Sequence, residues 1–178
     1  EILDIQDFTT ELFNQKYYAE KLNEEWERAR RTKMPVSVLK ISIDDFFEIE
    51  QTLGTNVRDS ILKTVGDFVR KTIRANDIAC RTQMNELAVI LPQSSRKGAA
   101  LLGERLRRIV EGSSIVNSGV KVSVSVGVSE YPSLADSVPA LDETSSKALA
   151  HIAEKGGNRI CLYKAPGDFT PEFEVPAD

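Results

Sequence analysis

The hydrophobic and polar residues of this 178-residue chain follow two different periods. Apolar residues recur at every third or fourth position in several segments, a spacing typical of amphipathic helices. This pattern predicts helices at residues 13–32, 56–73, 94–110 and 143–155, with a shorter helical turn at 44–54. Runs rich in β-branched residues, or alternating apolar with polar residues, predict strands. These strands are expected at 36–43, twice in a hairpin within 74–92, at 120–129 and at 159–163.

The order of these elements predicts the fold class. Helices and strands follow one another as α-β-α-β-β-α-β-α-β, which favours an α/β (α+β) fold with helices flanking a mixed central sheet. We expect one domain at residues 7–164, preceded at 1–6 by a linker from a missing N-terminal region. Residues 165–178 contain three prolines and four acids, so we expect a flexible tail there.

The predicted hairpin has an unusual turn and a charged approach. Tight hairpin turns favour glycine because they need a positive φ, yet this turn consists of Gln83, Met84 and Asn85. Arg74 and Asp77 lie three positions apart, just before the first strand. Taken alone, the pair is a common structural choice, because a cation suits a helix C-terminus and an aspartate suits a turn.

Composition excludes several functional classes. The net charge of −4 argues against a nucleic acid polymer as the main partner. No apolar run approaches the about 20 residues that cross a bilayer, so we expect a cytoplasmic protein without membrane insertion by this segment. Cys80 and Cys161 lie in apolar runs and are expected to be reduced core residues. His151 is the single histidine, and neither a second histidine nor paired cysteines are present to build a zinc site or a Ser-His triad with it.

Five segments resemble, in order and spacing, the motifs of the GGDEF domain of diguanylate cyclases. They are DFTTELFNQ (7–15), ISIDDFFEIEQTLGTNVRD (41–59), RANDIACRTQMNEL (74–87), VSVSVGVS (122–129) and KALAHIAEKGGNRI (147–160). The resemblance spans residues 7–164 and implies a fold similar to the palm of polymerases and nucleotide cyclases. It also implies a bacterial protein of cyclic di-GMP second messenger signalling.

The resemblance implies that the catalytic positions are degenerate. Family members hold two metal ions with two acids, whose positions here carry Ser42 and Asn85. Two neutral side chains cannot offset two divalent cations, so we expect no metal ion, no cofactor and no enzyme. The other replaced positions are Phe47, Glu50, Gln83, Met84, Ala153 and Gly157, while Asp59 and Glu86 are retained.

The resemblance also implies a ligand site. Arg74-x-x-Asp77 stands five residues before the turn, where family members carry the RxxD inhibitory site that binds cyclic di-GMP, and Arg105 aligns with the arginine that completes it. An arginine fork can donate to O6 and N7 of guanine, while a carboxylate can accept from N1 and N2. Arg81 either belongs to this site or pairs with a neighbouring acid. Arg28 lies near a helix end, where cations are common, and is assigned no site.

Together these inferences predict a cyclic di-GMP receptor that regulates an unidentified protein partner. The ligand could also bridge two copies of the domain. Two alternatives remain open from the residues: a scaffold that binds protein and no nucleotide, and a GTP-binding regulator that uses Asp59 and Glu86 without turnover.

Overall fold

The computed structural model describes residues 4–113 and 120–164. The expected tail at 165–178 and half of the expected linker lie outside these residues. Within the described ranges the elements are α1 (Gln15–Thr32), β1 (Val36–Ile43), α2 (Phe46–Leu53), α3 (Thr55–Thr72), β2 (Ile78–Gln83), β3 (Glu86–Pro92), α4 (Arg96–Glu111), β4 (Val124–Tyr131), α5 (Val138–Glu154) and β5 (Ile160–Leu162). None of the described helices has the length and apolar composition that a membrane-spanning segment needs.

The strands form one mixed sheet in the order β2-β3-β1-β4-β5. The central strand β1 pairs antiparallel with β3 and β4, and the edge strand β5 runs parallel to β4. The predicted fold class, a mixed sheet flanked by helices, is confirmed.

Both faces of the sheet are covered by helices. On one face Leu39 and Ile41 of β1 pack with apolar residues of α3 and α4. On the other face Val36 and Val38 pack with residues of α1 and α5. Because β1 is buried on both sides, its sequence is almost continuously apolar. Ser37, Lys40 and Ser42 are the exceptions, and the Lys40 side chain is only 4% exposed.

The hairpin turn needs no glycine. Gln83 pairs with Glu86, which leaves Met84 and Asn85 as the two turn residues. Neither is among the described non-glycine residues with a positive φ. Turns without positive φ fit the twist of a hairpin less well, and the register of β2 shifts between Arg81 and Gln83, next to the turn. Such an irregularity increases the local twist, which compensates for the turn.

Two elements differ from the sequence-based expectation. β4 begins and ends later than predicted, because its pairing with β1 stops where Ile43 lies opposite Val124. Residues 120–123 continue the alternating pattern but pair with no strand in the described part of the chain. α5 begins earlier than predicted, because the Ser137 side chain accepts a hydrogen bond from the Ala140 backbone and caps the helix there. Both cysteines are buried and reduced, as expected.

Candidate functional site

Arg74 and Asp77 form a closed turn between α3 and β2. The Asp77 carboxylate accepts hydrogen bonds from the Arg74 backbone N–H at 2.8 Å, from Nε at 3.2 Å and from Nη2 at 2.9 Å. The Asp77 side chain is 0% exposed, whereas that of Arg74 is 57% exposed. The hydrogen bond with Asp77 raises the pKa of Arg74 above its usual value. Asp77 therefore holds the guanidinium of Arg74 in a fixed position at the surface.

A cavity of about 350 Å³ lies against this turn and brings the predicted residues together. Arg74 and Asp77 line it from the turn between α3 and β2, and Arg105 lines it from α4. The apolar part of the lining comes from Leu91, Leu101 and Leu102. Within the described part of the chain, the side chain of Arg105 forms no hydrogen bond or ion pair. Arg105 is an exposed cation that shares this cavity with the three leucines.

The first turn of α4 is fixed from several directions, and this sets the position of Arg105. The side chain of Ser95 caps the helix by accepting from the Gly98 backbone at 3.3 Å. The Glu130 carboxylate accepts from the Arg96 backbone N–H at the same helix end, where a negative charge complements the helix dipole. Ser37 of β1 donates to the backbone carbonyl that precedes the cap at 2.7 Å.

Two further cavities share Arg74. One, of about 310 Å³, includes Arg28 of α1 together with Pro92 and Gln93. The other, of about 380 Å³, includes Arg70 of α3. The sequence analysis missed Arg28, because only the packing of α1 beside the hairpin brings it near Arg74. Local sequence carries no signal for such a contact.

Arg81, the fourth predicted ligand residue, is not among the residues that line these three cavities. Its guanidinium donates to the Asp7 carboxylate at 3.2 Å and to the Met84 backbone carbonyl at 2.8 Å. These contacts join the N-terminal segment to the hairpin turn. The structure therefore gives Arg81 the neighbouring acid that the sequence analysis had considered as its alternative partner.

The positions that the sequence analysis expected to be degenerate lie at one end of the sheet. Ser42 of β1 lies opposite Glu86 of β3, directly beside the turn formed by Met84 and Asn85. On α2, Phe47 is half-exposed, and Glu50 pairs with Arg58 of α3. This end of the sheet is far from the Arg74 turn. The turn lies before β2 and Asn85 lies after β2, so the whole strand separates them.

A buried polar cluster lies next to this end of the sheet. The Lys40 ammonium is 2.8 Å from an Asp142 oxygen and 3.3 Å from a Glu86 oxygen. Thr82 also donates to Glu86 at 2.6 Å, and Tyr18 donates to Asp142 at 2.7 Å. Burial, followed by the neighbouring Asp142 carboxylate, strongly raises the pKa of Tyr18. The cluster ties α1, α5 and the hairpin to the central strand.

Acidic side chains do not converge on a metal centre in residues 4–113 and 120–164: no group of three or more histidine, cysteine or acidic ligands occurs there. Asp44, which follows β1, is engaged by the protein itself. Its carboxylate accepts from Ser123 at 2.6 Å, from Ser125 at 2.7 Å and from the Asn158 backbone at 2.8 Å.

Comparison with known proteins decides the family. The family described as "Diguanylate cyclase, GGDEF domain" matches residues 4–159, most of the chain. The chain belongs to the GGDEF family. Diguanylate cyclase A of Treponema denticola is 35% identical over 134 residues, which are 74% of this chain and 36% of that protein. Diguanylate cyclase DosC of Escherichia coli K12 is 30% identical over 162 residues, 89% of this chain and 35% of that protein.

Solved GGDEF domains have the same fold. The GGDEF domain of DgcB from Caulobacter crescentus, in complex with cyclic di-GMP, superposes with a TM-score of 0.85 at 21% identity, covering 91% of this chain and 94% of that one. The GGDEF domain of PA1120 (TpbB or YfiN) from Pseudomonas aeruginosa gives 0.84 at 25% identity, covering 89% and 94%. The chain spans only 35% to 45% of the length of the curated relatives it matches.

These comparisons correct one prediction. The chain was expected not to be an enzyme, because Ser42 and Asn85 stand where the family resemblance implies two metal-binding acids. That prediction is wrong, since relatives 30% to 35% identical to this GGDEF domain are named diguanylate cyclases and point to an enzyme. The prediction weighed a few motif positions, whereas the similarity extends over 134 to 162 residues.

Proposed function

We propose that this GGDEF domain is a cyclic di-GMP receptor that binds its ligand at Arg74, Asp77 and Arg105 and thereby regulates a protein partner. The observation that carries the proposal is the cavity of about 350 Å³ that Arg74 and Arg105 line together with three leucines. The proposal concerns this site alone and is independent of turnover at the other end of the sheet.

The chemistry of the cavity suits a cyclic dinucleotide. Such a ligand carries two purines and two phosphates, so it needs apolar surface, donors for base edges and positive charge. Leu101 and Leu102 offer apolar surface for a purine. Arg74 offers a guanidinium fixed by a buried carboxylate, which lowers the entropy lost on binding. Arg105 offers a cation for a phosphate.

The adjoining cavity extends the site. Arg28 and Arg74 line it together, and Arg74 also borders the cavity of Arg105. The two halves of a cyclic dinucleotide therefore have two neighbouring basic cavities, with Arg74 between them. Arg28 already pairs with the buried Glu25 at 3.2 Å, so it supplies less positive charge than Arg105.

The relatives support both parts of the proposal. One similar GGDEF domain, that of DgcB, was solved in complex with cyclic di-GMP. Another, in the diguanylate cyclase SiaD, was solved in complex with its activator SiaC. Ligand binding and association with a protein therefore both occur among domains of this fold.

Calorimetric titration of the chain with cyclic di-GMP tests the proposal. Arg105→Ala should weaken binding, whereas Arg108→Ala is the matched control, because Arg108 lies on the same helix and pairs with Glu104. Arg74→Ala should weaken binding by roughly 5- to 150-fold, the usual value of a bidentate arginine contact. Failure of the unmodified chain to bind, or equal affinity of the Arg105 and Arg108 variants, would overturn the proposal and favour the nucleotide-independent scaffold.

A further inference from the structure

The exposed face of α4 carries an apolar residue between two cations. Lys97, Leu101 and Arg105 follow one another at intervals of four positions, so their side chains share one face of the helix. Leu101 is 42% exposed, and both cations are exposed as well. Among the described residues, the side chains of Lys97 and Arg105 form no hydrogen bond or ion pair. This α4 stripe (Lys97, Leu101 and Arg105) therefore presents unpaired positive charge on both sides of an apolar side chain.

Helix stability does not explain the cations at this end of α4. The first turn contains Arg96 and Lys97 and no acidic residue, although the N-terminus of a helix favours negative charge. Glu130 of β4 supplies one negative charge there, against two cations. An acidic segment laid along the α4 stripe would offset both the helix dipole and the unpaired cations. The stripe therefore fits a partner that is acidic and partly apolar.

The chain itself continues into a segment of this composition. Residues 165–178 contain four acidic residues, two phenylalanines and no lysine or arginine. Asp168 precedes Phe169, and Glu172 and Glu174 stand on either side of Phe173. An aromatic residue between two acids is the complement of a leucine between two cations.

The sheet topology delivers this segment to the same end of the domain. β5 runs parallel to β4, and the Tyr163 backbone donates to the Val128 carbonyl at 2.9 Å, so the chain leaves β5 at the C-terminal end of β4. Glu130, at that end of β4, holds the N-terminus of α4. Three strand spacings, roughly 14 Å, separate β5 from β3, which contributes Leu91 to the cavity beside the α4 stripe. About five extended residues cover this distance, so the residues from Phe169 onward can reach the stripe.

We propose that residues 165–178 dock on the α4 stripe of the same chain. Glu172 and Glu174 then lie beside the two cations, and Phe173 packs against Leu101. Docking needs no nucleotide, so this inference is independent of the proposed function. Its consequence, that a ligand of the adjoining cavity must displace the segment, rests on that function. Tethering over a few residues gives an effective concentration on the order of 1 mM, so an intrinsic dissociation constant of about 1 mM keeps the segment docked about half of the time.

Nuclear magnetic resonance of the full chain, with a nitroxide spin label on the segment, tests the docking. Ala177→Cys provides the labelling site, because Cys80 and Cys161 are buried and do not compete for the reagent. The backbone amide signals of residues 97–105 should lose about half of their intensity relative to the sample with the label reduced. The signals of α5 are the internal reference, because α5 packs on the opposite face of the sheet.

Charge reversal separates the proposed contact from chance proximity. Lys97→Glu combined with Arg105→Glu should remove most of the signal loss, because both attractions become repulsions. Adding Glu172→Lys and Glu174→Lys to that variant should bring the signal loss back, since the charges are then exchanged between helix and segment. Lys147→Glu reverses an exposed cation of α5 and is the matched control, which should leave the signal loss unchanged.

Three results would overturn the inference. Signals of residues 97–105 that lose no more intensity than those of α5 would show that the segment does not dock there. A signal loss that persists after both charges of the α4 stripe are reversed would exclude the proposed contacts. A signal loss that disappears on dilution would assign the docked segment to a second copy of the chain. If the same chain binds no cyclic di-GMP in calorimetric titration, the proposed function fails while the docking result stands.

Discussion

Replacement of Lys40 by methionine probes the buried polar cluster most directly. Methionine keeps the length and apolar stem of the side chain but removes the ammonium that lies 3.3 Å from Glu86 and 2.8 Å from Asp142. The Asp142 side chain is 45% exposed, so water can solvate it after the change. Glu86 is only 9% exposed and would remain as a buried charge, which among the described residues would keep only the hydrogen bond from the Thr82 hydroxyl.

The size of the effect follows from these exposures. Breaking a buried ion pair by removing one partner usually lowers the free energy of unfolding by about 3 to 5 kcal/mol. Because Asp142 can be rehydrated and Thr82 still donates to Glu86, we expect the lower end, about 3 kcal/mol. For a domain of this size the melting temperature should fall by about 6 to 12 °C.

Urea denaturation, followed by circular dichroism, measures this change. The control is Lys147→Met, which removes an ammonium from a pair that is 58% and 63% exposed and should change stability by less than about 0.5 kcal/mol. Adding Glu86→Gln to Lys40→Met removes the unpaired charge and should restore most of the lost stability. A loss below about 1 kcal/mol for Lys40→Met, or simple additivity in the double variant, would refute the reasoning.

Three other predictions follow from packing and from shifted pKa values. Gly127→Ala should destabilise the fold by about 3 kcal/mol in urea denaturation, because the new Cβ would lie 2.5 Å from the backbone of α5; wild-type stability would contradict the packing. Arg107, and then Arg108, lower the pKa of Glu104 through hydrogen bonds, so its contribution is present above the unfolded value of about 4.3 and is lost as pH falls. Glu104→Gln should therefore flatten the acid side of the stability profile, and an unchanged profile would exclude this contribution. Burial raises the pKa of Cys80 to about 12, so a thiol reagent at pH 8 should modify it only after unfolding, and rapid native labelling would contradict its burial.

The sequence by itself determined the order and type of the elements, and it located most residues of the proposed ligand site. The apolar run at 36–43 matches β1 at both ends, because burial on two faces leaves few positions for polar residues. Ser95 caps the start of α4 and Gly112 caps its end, as their residue types suggest. Arg74 and Asp77 could be paired from sequence because their contact is local, spanning three positions.

Only the tertiary structure decided which distant side chains meet. Arg28 lines a cavity together with Arg74, and Lys40 is neutralised by acids from β3 and α5. No local sequence pattern predicts either contact. The length of β4 likewise depends on where its partner β1 ends. The direction of the Asp77 carboxylate, inward to Arg74, also emerged only from the folded turn. The periodicity of apolar residues indicates which face of an element is buried. Contacts between elements depend on how those faces pack against one another.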